Sequence, residues 1–179
     1  MAATDRPITG APPRQITSFI GRERQLAELG ELLVRPDVRL LTLTGPGGIG
    51  KSRLSLEVMA TLGDRFPGGA AFVPLAQITD PGLVPATIAQ TLRLREDRPK
   101  ALLALLTDRL AGPPVLLVLD NFEHLLDATG LVSELLSGTN VTVLVTSREV
   151  LRLYGEHVVP VKLHRDVTAQ LKLRIVPAT

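Results

Sequence analysis

The sequence predicts a three-layer α/β fold, in which helices cover both faces of a mostly parallel five-stranded sheet. Five apolar segments of strand length alternate along the chain with helical patterns, which is typical of βαβ units. One of these segments, 115–119, is continuously apolar, as expected for a strand buried on both faces of a sheet, and we predict that 141–145, which is apolar except at Thr142, is another buried strand. The chain has 179 residues and is 45% hydrophobic and 21% charged, so it can bury the core of one domain.

The elements are predicted in chain order as follows. Residues 1–17 are rich in proline and small residues, and we predict a flexible N-terminal arm. A helix is expected after Gly21, because Leu26, Leu29 and Leu33 fall at helical spacing before Pro36. The predicted strands are 38–44, 70–75, 115–119, 141–145 and 157–161. Four further helices are predicted: one that carries Leu54, Val58 and Leu62, one over 81–92, one over 100–111, and one that carries Leu125, Val132 and Leu135. Pro160 restricts the last strand to an edge or a strand end.

Composition excludes several classes of protein. The chain contains no cysteine, so disulfides and thiolate metal sites are excluded, and its 3 histidines are too scattered for a metal site. The net charge of +2 is a weak basic bias that does not by itself indicate nucleic-acid binding. The apolar runs are too short to span a bilayer, and the N-terminus lacks a signal-peptide pattern. We therefore expect a cytoplasmic protein.

A glycine-rich segment between the first strand and the next helix matches the P-loop pattern of glycine, four residues and Gly-Lys-Ser. Glycines allow the backbone to fold round phosphate oxygens, and successive N–H groups at a helix start form an anion site. The lysine brings a positive charge to the phosphates, and the Ser52 hydroxyl is a ligand for Mg²⁺. The alternative is a strand-to-helix turn that binds nothing. The residues assigned to nucleotide binding here are Gly45, Pro46, Gly47, Gly48, Ile49, Gly50, Lys51, Ser52 and Arg53.

Asp120 follows the buried strand 115–119 directly. A carboxylate in that position is costly unless it meets a cation or hydrogen-bond donors, and beside a P-loop we favour a ligand for Mg²⁺. A cap of the next helix is the alternative. An acid after Asp120 would orient an attacking water, but Asn121 stands there and an amide is no general base. Glu123 is the candidate substitute, or else a solvated residue at a helix start.

Arg148 follows the strand 141–145 in the segment Thr-Ser-Arg-Glu. The planar guanidinium suits phosphate oxygens, so Arg148 is a candidate sensor of the γ-phosphate. An exposed arginine paired with Glu149 or with solvent is the alternative. We group Asp120, Glu123 and Arg148 as the candidate catalytic residues.

Four segments together resemble one family. They are FIGRE (19–23), GPGGIGKS (45–52), VLLVLDNFEHLLDA (115–128) and VTVLVTSREVLRLYGEHVVPV (141–161). The set resembles the NTPase domain of STAND ATPases, more narrowly that of bacterial transcriptional regulators of the AfsR/LuxR type. It is similar, more distantly, to NB-ARC domains of plant resistance proteins and apoptotic ATPases.

The resemblance implies an ASCE-type P-loop NTPase domain over residues 18–161, with five parallel strands in the order 5-1-4-3-2. It implies that the Ile20 backbone and the Arg22 side chain seat adenine. Lys51 and Ser52 would take phosphates, Ser52 and Asp120 would take Mg²⁺, and Arg148 would sense the γ-phosphate. The cofactors implied are ATP or ADP with Mg²⁺. Such proteins are switches, in which ADP holds a closed state and ATP allows opening and self-association.

The family continues into subdomains that close over the nucleotide, whereas this chain ends 18 residues after Val161. We therefore expect a core truncated before those subdomains, with residues 162–179 as a tail of unassigned structure. DNA binding is expected only through modules absent from this chain, and ATPase activity is expected to be weak at most.

Two other classes of function stay open. One is a catalytic ATPase or small-molecule kinase, in which the basic residues Arg93, Arg95, Arg98 and Lys100 would form a lid rather than a solvated loop. The other is a non-enzymatic interaction fragment, which would bind a partner through apolar surface left exposed where the expected subdomains would pack. Concentration-dependent self-association without nucleotide would favour it.

Overall fold

The strands lie in one sheet and all run parallel. The computed structural model describes residues 7–9, 21–94 and 102–161. The strands in these ranges are β1 (Ile8–Thr9), β2 (Leu40–Thr44), β3 (Gly69–Pro74), β4 (Val115–Asp120), β5 (Val141–Ser147) and β6 (Glu156–Pro160). Their order across the sheet is β1-β3-β4-β5-β2-β6, with every neighbouring pair parallel. Without β1 this is the predicted order 5-1-4-3-2, which is confirmed.

Helices cover both faces of the sheet. Within the described ranges they are α1 (Glu23–Leu33), α2 (Lys51–Leu62), α3 (Val84–Thr91), α4 (Leu102–Leu110) and α5 (Thr129–Gly138). One apolar core cluster contains residues of α1 and α2, and the other contains residues of α3, α4 and α5. The strands contribute to both clusters, because successive side chains of a strand point to opposite faces. The predicted three-layer α/β fold is therefore confirmed.

The two central strands are buried along their whole length. All residues of β4 and β5 are buried. Water reaches neither face, which explains why Val and Leu fill most positions of these strands. The buried polar exceptions are Thr142 within β5 and Asp120, Thr146 and Ser147 at the strand ends. Because the strands are parallel, the segments that follow β2, β4 and β5 all leave the sheet at one edge.

Strand β1 lies within the segment that the sequence assigned to a flexible arm. Ile8 is buried at 5% exposure and its N–H donates to the Gly68 carbonyl at 2.8 Å. The approach to β3 is so close that a Cβ added at Gly69 would lie 2.1 Å from the Ile8 carbonyl oxygen. The sequence pattern did not predict this strand, because two residues are too few to carry an alternation.

The helix predicted to contain Leu125 begins only at Thr129. The chain between β4 and α5 instead forms two short 3-10 turns, at Phe122–His124 and Leu126–Ala128. Their repeat is three residues, and it buries Phe122, Leu125 and Ala128 on one side. This part of the prediction was wrong because the buried positions recur every three residues rather than at α-helical spacing.

Among the described residues, the last strand, β6, lies at the edge of the sheet and pairs only with β2. Pro160, which lacks an N–H donor, is its final residue, as the sequence predicts. The next residue, Val161, still donates its N–H to the Thr44 carbonyl at 2.7 Å. None of the helices in the described ranges is long and apolar enough to span a membrane.

Candidate functional site

The glycine-rich segment forms an open loop at the carboxyl end of β2. Gly45, Gly48 and Gly50 have φ angles of 149°, 75° and 89°, a region that side-chain-bearing residues rarely adopt. Nothing lies within 4 Å of a Cβ added at Gly48. Pro46, Gly47 and Gly48 are exposed, and α2 begins immediately after Gly50. The loop therefore presents backbone to solvent at the positive end of a helix, which suits an anion.

Lys51 is folded back onto this loop. Its ammonium donates to the carbonyl oxygens of Gly45 at 2.7 Å and Pro46 at 2.9 Å. The residue is only 8% exposed, and burial lowers the pKa of its ammonium. The charges of Glu123 and Asp120 oppose that lowering of the pKa, while the charge of Arg148 adds to it. Residues from two separate parts of the chain, Asp120 with Glu123 and Arg148, thus act electrostatically on one lysine.

Asp120 is the last residue of β4 and is buried at 6% exposure. Its Oδ1 accepts a hydrogen bond of 2.6 Å from the Thr146 hydroxyl on β5. Asn121 begins the following 3-10 turn and makes no side-chain capping bond there. The donor that Asp120 meets therefore comes from the neighbouring strand.

Glu123 and Arg148 form an ion pair above the loop. Arg148 Nε lies 3.2 Å from Glu123 Oε1, and the two side chains are 64% and 18% exposed. A Cβ added at Gly47 would lie 3.2 Å from Arg148 Nη2, so the guanidinium also lies beside the glycine-rich loop. The alternative considered from the sequence was an exposed Arg148 paired with Glu149 or with solvent, whereas the carboxylate that it contacts is that of Glu123. Two candidate catalytic residues are thus in contact.

Arg22 approaches the loop from the start of α1. Its Nη2 donates to the Ile49 carbonyl, and a Cβ added at Gly50 would lie 3.5 Å from its Nη1. Within the described ranges that Nη1 is buried and has no hydrogen-bond partner. An unpartnered buried donor beside a phosphate loop is the kind of group that a bound ligand satisfies.

The residues present fit Mg²⁺ only together with phosphates. The described residues include no group of at least 3 His, Cys, Asp or Glu side chains that could hold a metal by themselves. Mg²⁺ in proteins is typically held by one or two carboxylates, substrate phosphates and waters, and by a hydroxyl in P-loop proteins. Asp120 supplies such a carboxylate and Ser52, in the first turn of α2, supplies the hydroxyl. Glu123 Oε2, buried without a partner among the described residues, is a further oxygen nearby.

The remaining predicted residues lie at or beyond the rim of this site. Ile49 is buried beneath the loop at 4% exposure. Arg53 points along α2, where its Nε lies 3.2 Å from Glu57 Oε1. Ile20 lies outside the described residues, as do Arg95, Arg98 and Lys100 of the basic cluster.

Sequence reasoning missed Thr146, which contacts Asp120 directly. A signal was nevertheless present, since the predicted strand order makes the strands that end at Asp120 and Thr146 neighbours.

The family comparison matches most of the chain. Residues 18–145 match the model of the AAA ATPase domain. An uncharacterized protein of Mycobacterium tuberculosis is 39% identical over 158 residues, which cover 86% of this chain and 40% of that protein. A Mycobacterium tuberculosis protein named as an HTH-type transcriptional regulator is 41% identical over 120 residues, covering 66% of this chain and 13% of the regulator. The regulatory protein AfsR of Streptomyces griseus is 31% identical over 180 residues, which cover 93% of this chain and 18% of AfsR. The chain spans less than half the length of each.

Solved structures share the fold. Cdc6p from Pyrobaculum aerophilum matches with a TM-score of 0.54 and 20% identity, covering 78% of this chain and 42% of that chain. A STAND protein with a tetratricopeptide repeat sensor from Pyrococcus horikoshii matches with a TM-score of 0.53 and 16% identity. The match covers 88% of this chain and 25% of that chain. At these identities the likeness concerns the fold.

Proposed function

The chain belongs to the family of AAA ATPase domains, and on that premise we propose that it is the ATP/ADP-binding switch module of a STAND-type regulator. The observation that carries the proposal is the convergence of Lys51, Asp120, Glu123 and Arg148 on one open glycine loop. The relatives named as regulators support the placement of such a module in a longer protein.

Phosphate binding begins with an exchange of partners at Lys51. Its two bonds join the ammonium to uncharged carbonyl oxygens, and an anionic phosphate oxygen offers stronger bonds between two charged groups in their place. The exposed N–H groups of the loop and the dipole of α2 then add donors. Bound Mg²⁺ neutralises phosphate charge, and Asp120 and Ser52 are the residues that would hold it.

Discrimination between ATP and ADP rests on Arg148. Its pair with Glu123 is partly exposed, and such pairs contribute about 1 kcal/mol or less. A γ-phosphate beside Gly47 would offer Arg148 a bidentate partner with more charge. Arg148 would then leave Glu123 when ATP binds and return to it with ADP. This difference in contacts gives the two nucleotides different effects on conformation.

Hydrolysis is slow in this proposal. The residue after Asp120 is Asn121, whose amide cannot take a proton from water. Glu123 is the nearby carboxylate, but it lies in the 3-10 turn two residues beyond Asn121 rather than directly after Asp120. We expect turnover far below the typical enzyme value of about 10 per second. Self-association in the ATP state and a cytoplasmic location belong to the same proposal.

A catalytic ATPase is the second candidate function. The unpartnered Glu123 Oε2 favours it, because this oxygen is open to a water once Arg148 moves to the nucleotide. Release of phosphate at rates typical of enzymes would favour this candidate over the switch.

The proposal is tested by calorimetric titration of Mg·ATP and Mg·ADP into wild type and Lys51→Ala. We expect the variant to bind at least about tenfold more weakly, which is about 1.4 kcal/mol. Arg65→Ala is the matched control, since it removes an exposed positive charge beyond the carboxyl-terminal end of α2. Equal affinities for wild type and Lys51→Ala would remove the phosphate role of Lys51. A parallel phosphate-release assay separates the switch from the catalyst.

A further inference from the structure

Thr146 joins the ends of the two central strands through its side chain. The hydroxyl donates to Asp120 Oδ1 at 2.6 Å and accepts the Asn121 backbone N–H at 3.0 Å. Thr146 is 1% exposed, so water has no access to replace either bond. One hydroxyl therefore fixes both the carboxylate of Asp120 and the turn that follows it.

Orientation of this carboxylate is not determined by its own rotamer preferences. The terminal torsion of aspartate is broad, so a packed carboxyl group can rotate over a wide range without a bonding partner. The short bond from Thr146 occupies Oδ1 and leaves Oδ2 as the oxygen available to a cation. Asn121 has a φ of 64°, and the hydroxyl holds its N–H as the chain leaves the strand in this left-handed conformation.

We infer that Thr146 is a positioning residue that orients Asp120 for Mg²⁺ in the nucleotide complex. The inference rests on the proposed function, because it needs nucleotide and cation to bind at this site. Removal of a group that hydrogen-bonds a metal ligand typically reduces the metal affinity about 10- to 100-fold. Thr146 acts through Asp120 and does not itself touch the nucleotide.

The test compares Thr146→Val with Thr146→Ser and with a matched control. Valine keeps the shape but removes the hydroxyl, whereas serine keeps the hydroxyl. Thr42→Val is the control, since Thr42 is fully buried on the neighbouring strand β2 and its hydroxyl has no hydrogen-bond partner among the described residues. Each protein is titrated with ADP once in magnesium buffer and once in EDTA, and the ratio of the two affinities is the readout.

We expect Thr146→Val to reduce the Mg²⁺-dependent gain in ADP affinity by about tenfold. Its affinity in EDTA should stay near the wild-type value, because the phosphate loop is untouched. Thr146→Ser should restore most of the gain, and Thr42→Val should keep all of it. Thr146→Ala, which also lacks the hydroxyl and is smaller, is expected to behave like Thr146→Val and replaces it if valine prevents folding.

Different outcomes overturn different claims. An unchanged magnesium gain in a folded hydroxyl-free variant overturns the role of Thr146 while leaving nucleotide binding in place. The same conclusion follows if the variant only lowers the melting temperature, or if Thr146→Ser loses as much gain as Thr146→Val. Failure of the wild type to bind ADP in either buffer overturns the proposed function and the inference with it.

Discussion

Two positively charged side chains at opposite ends of β2 both donate hydrogen bonds to backbone carbonyls, but these bonds differ in role. Arg39, which precedes the strand, donates to the carbonyls of Val141, Leu136 and Thr139 at 2.8, 3.3 and 2.7 Å. Lys51, beyond the other end of the strand, donates to two carbonyls of its own loop. Burial lowers the pKa of both side chains.

The difference lies in how far along the chain the partners are. The acceptors of Arg39 lie 97 to 102 residues away, so these bonds form only when α5 and β5 have joined the sheet. The acceptors of Lys51 lie 5 and 6 residues away, in the glycine-rich loop that precedes it. We therefore expect Arg39, whose partners are distant in sequence, to stabilise the fold. We expect Lys51, whose partners are local, to exchange them for a ligand.

The strongest test of this comparison is Arg39→Ala. It leaves three carbonyl acceptors without their charged donor, and we expect the free energy of unfolding to fall by about 3 kcal/mol. Urea unfolding measures the loss, and nucleotide affinity of the folded variant should be unchanged. The control is Arg65→Ala, an exposed arginine near the same end of the sheet. An unaltered urea midpoint for Arg39→Ala would contradict the structural role.

A smaller effect is expected for Arg148→Ala at the ligand end. Loss of the γ-phosphate partner should reduce the preference for ATP over ADP about fivefold, which is about 1 kcal/mol. Affinity for ADP itself should change little, because Arg148 stays with Glu123 in that state. Calorimetry with both nucleotides gives the ratio, and Glu149→Ala is the control because Glu149 is the adjacent exposed residue. A ratio equal to wild type would leave γ-phosphate sensing to other residues.

The smallest expected effect is on the pH dependence of ADP binding. Burial lowers the pKa of free Lys51, and a bound phosphate favours the ammonium and raises that pKa. Affinity is therefore complete below the lowered pKa and falls as the pH rises through it. At the pH equal to that pKa the loss is about twofold, because half of the free protein then carries a neutral amine. A titration series on the alkaline side measures it, and Lys51→Ala should give no such fall.

Most of the fold was predictable because its signals are local or topological. Largely apolar runs indicate strands buried on two faces; 115–119 and 141–145 are such runs, the second interrupted at Thr142, and all residues of β4 and β5 are buried. The glycine-rich loop is a contiguous pattern between a predicted strand and a predicted helix, and it lies between β2 and α2. The roles of these residues in nucleotide binding stay predictions that the titrations test.

The rest depends on contacts between residues far apart in sequence. No local pattern indicates that Arg39 reaches α5, or that Glu123 rather than Glu149 is the partner of Arg148. Strand β1 has two residues, and its pairing depends on the glycine that it meets at β3. Patterns along a chain carry periodicity, whereas these features are set by which segments the sheet brings side by side.

Strand β2 is held at every side except at the loop. It pairs with β5 and β6 along its full length, and Arg39 precedes its first residue. In the proposed switch, nucleotide exchange would therefore move the backbone of residues 45–50 without shifting the strand that carries them. Amide hydrogens within Leu40–Thr44 should exchange with solvent slowly whichever nucleotide is bound. Structural differences between the two nucleotide states are then expected only in the loop and in the side chains above it.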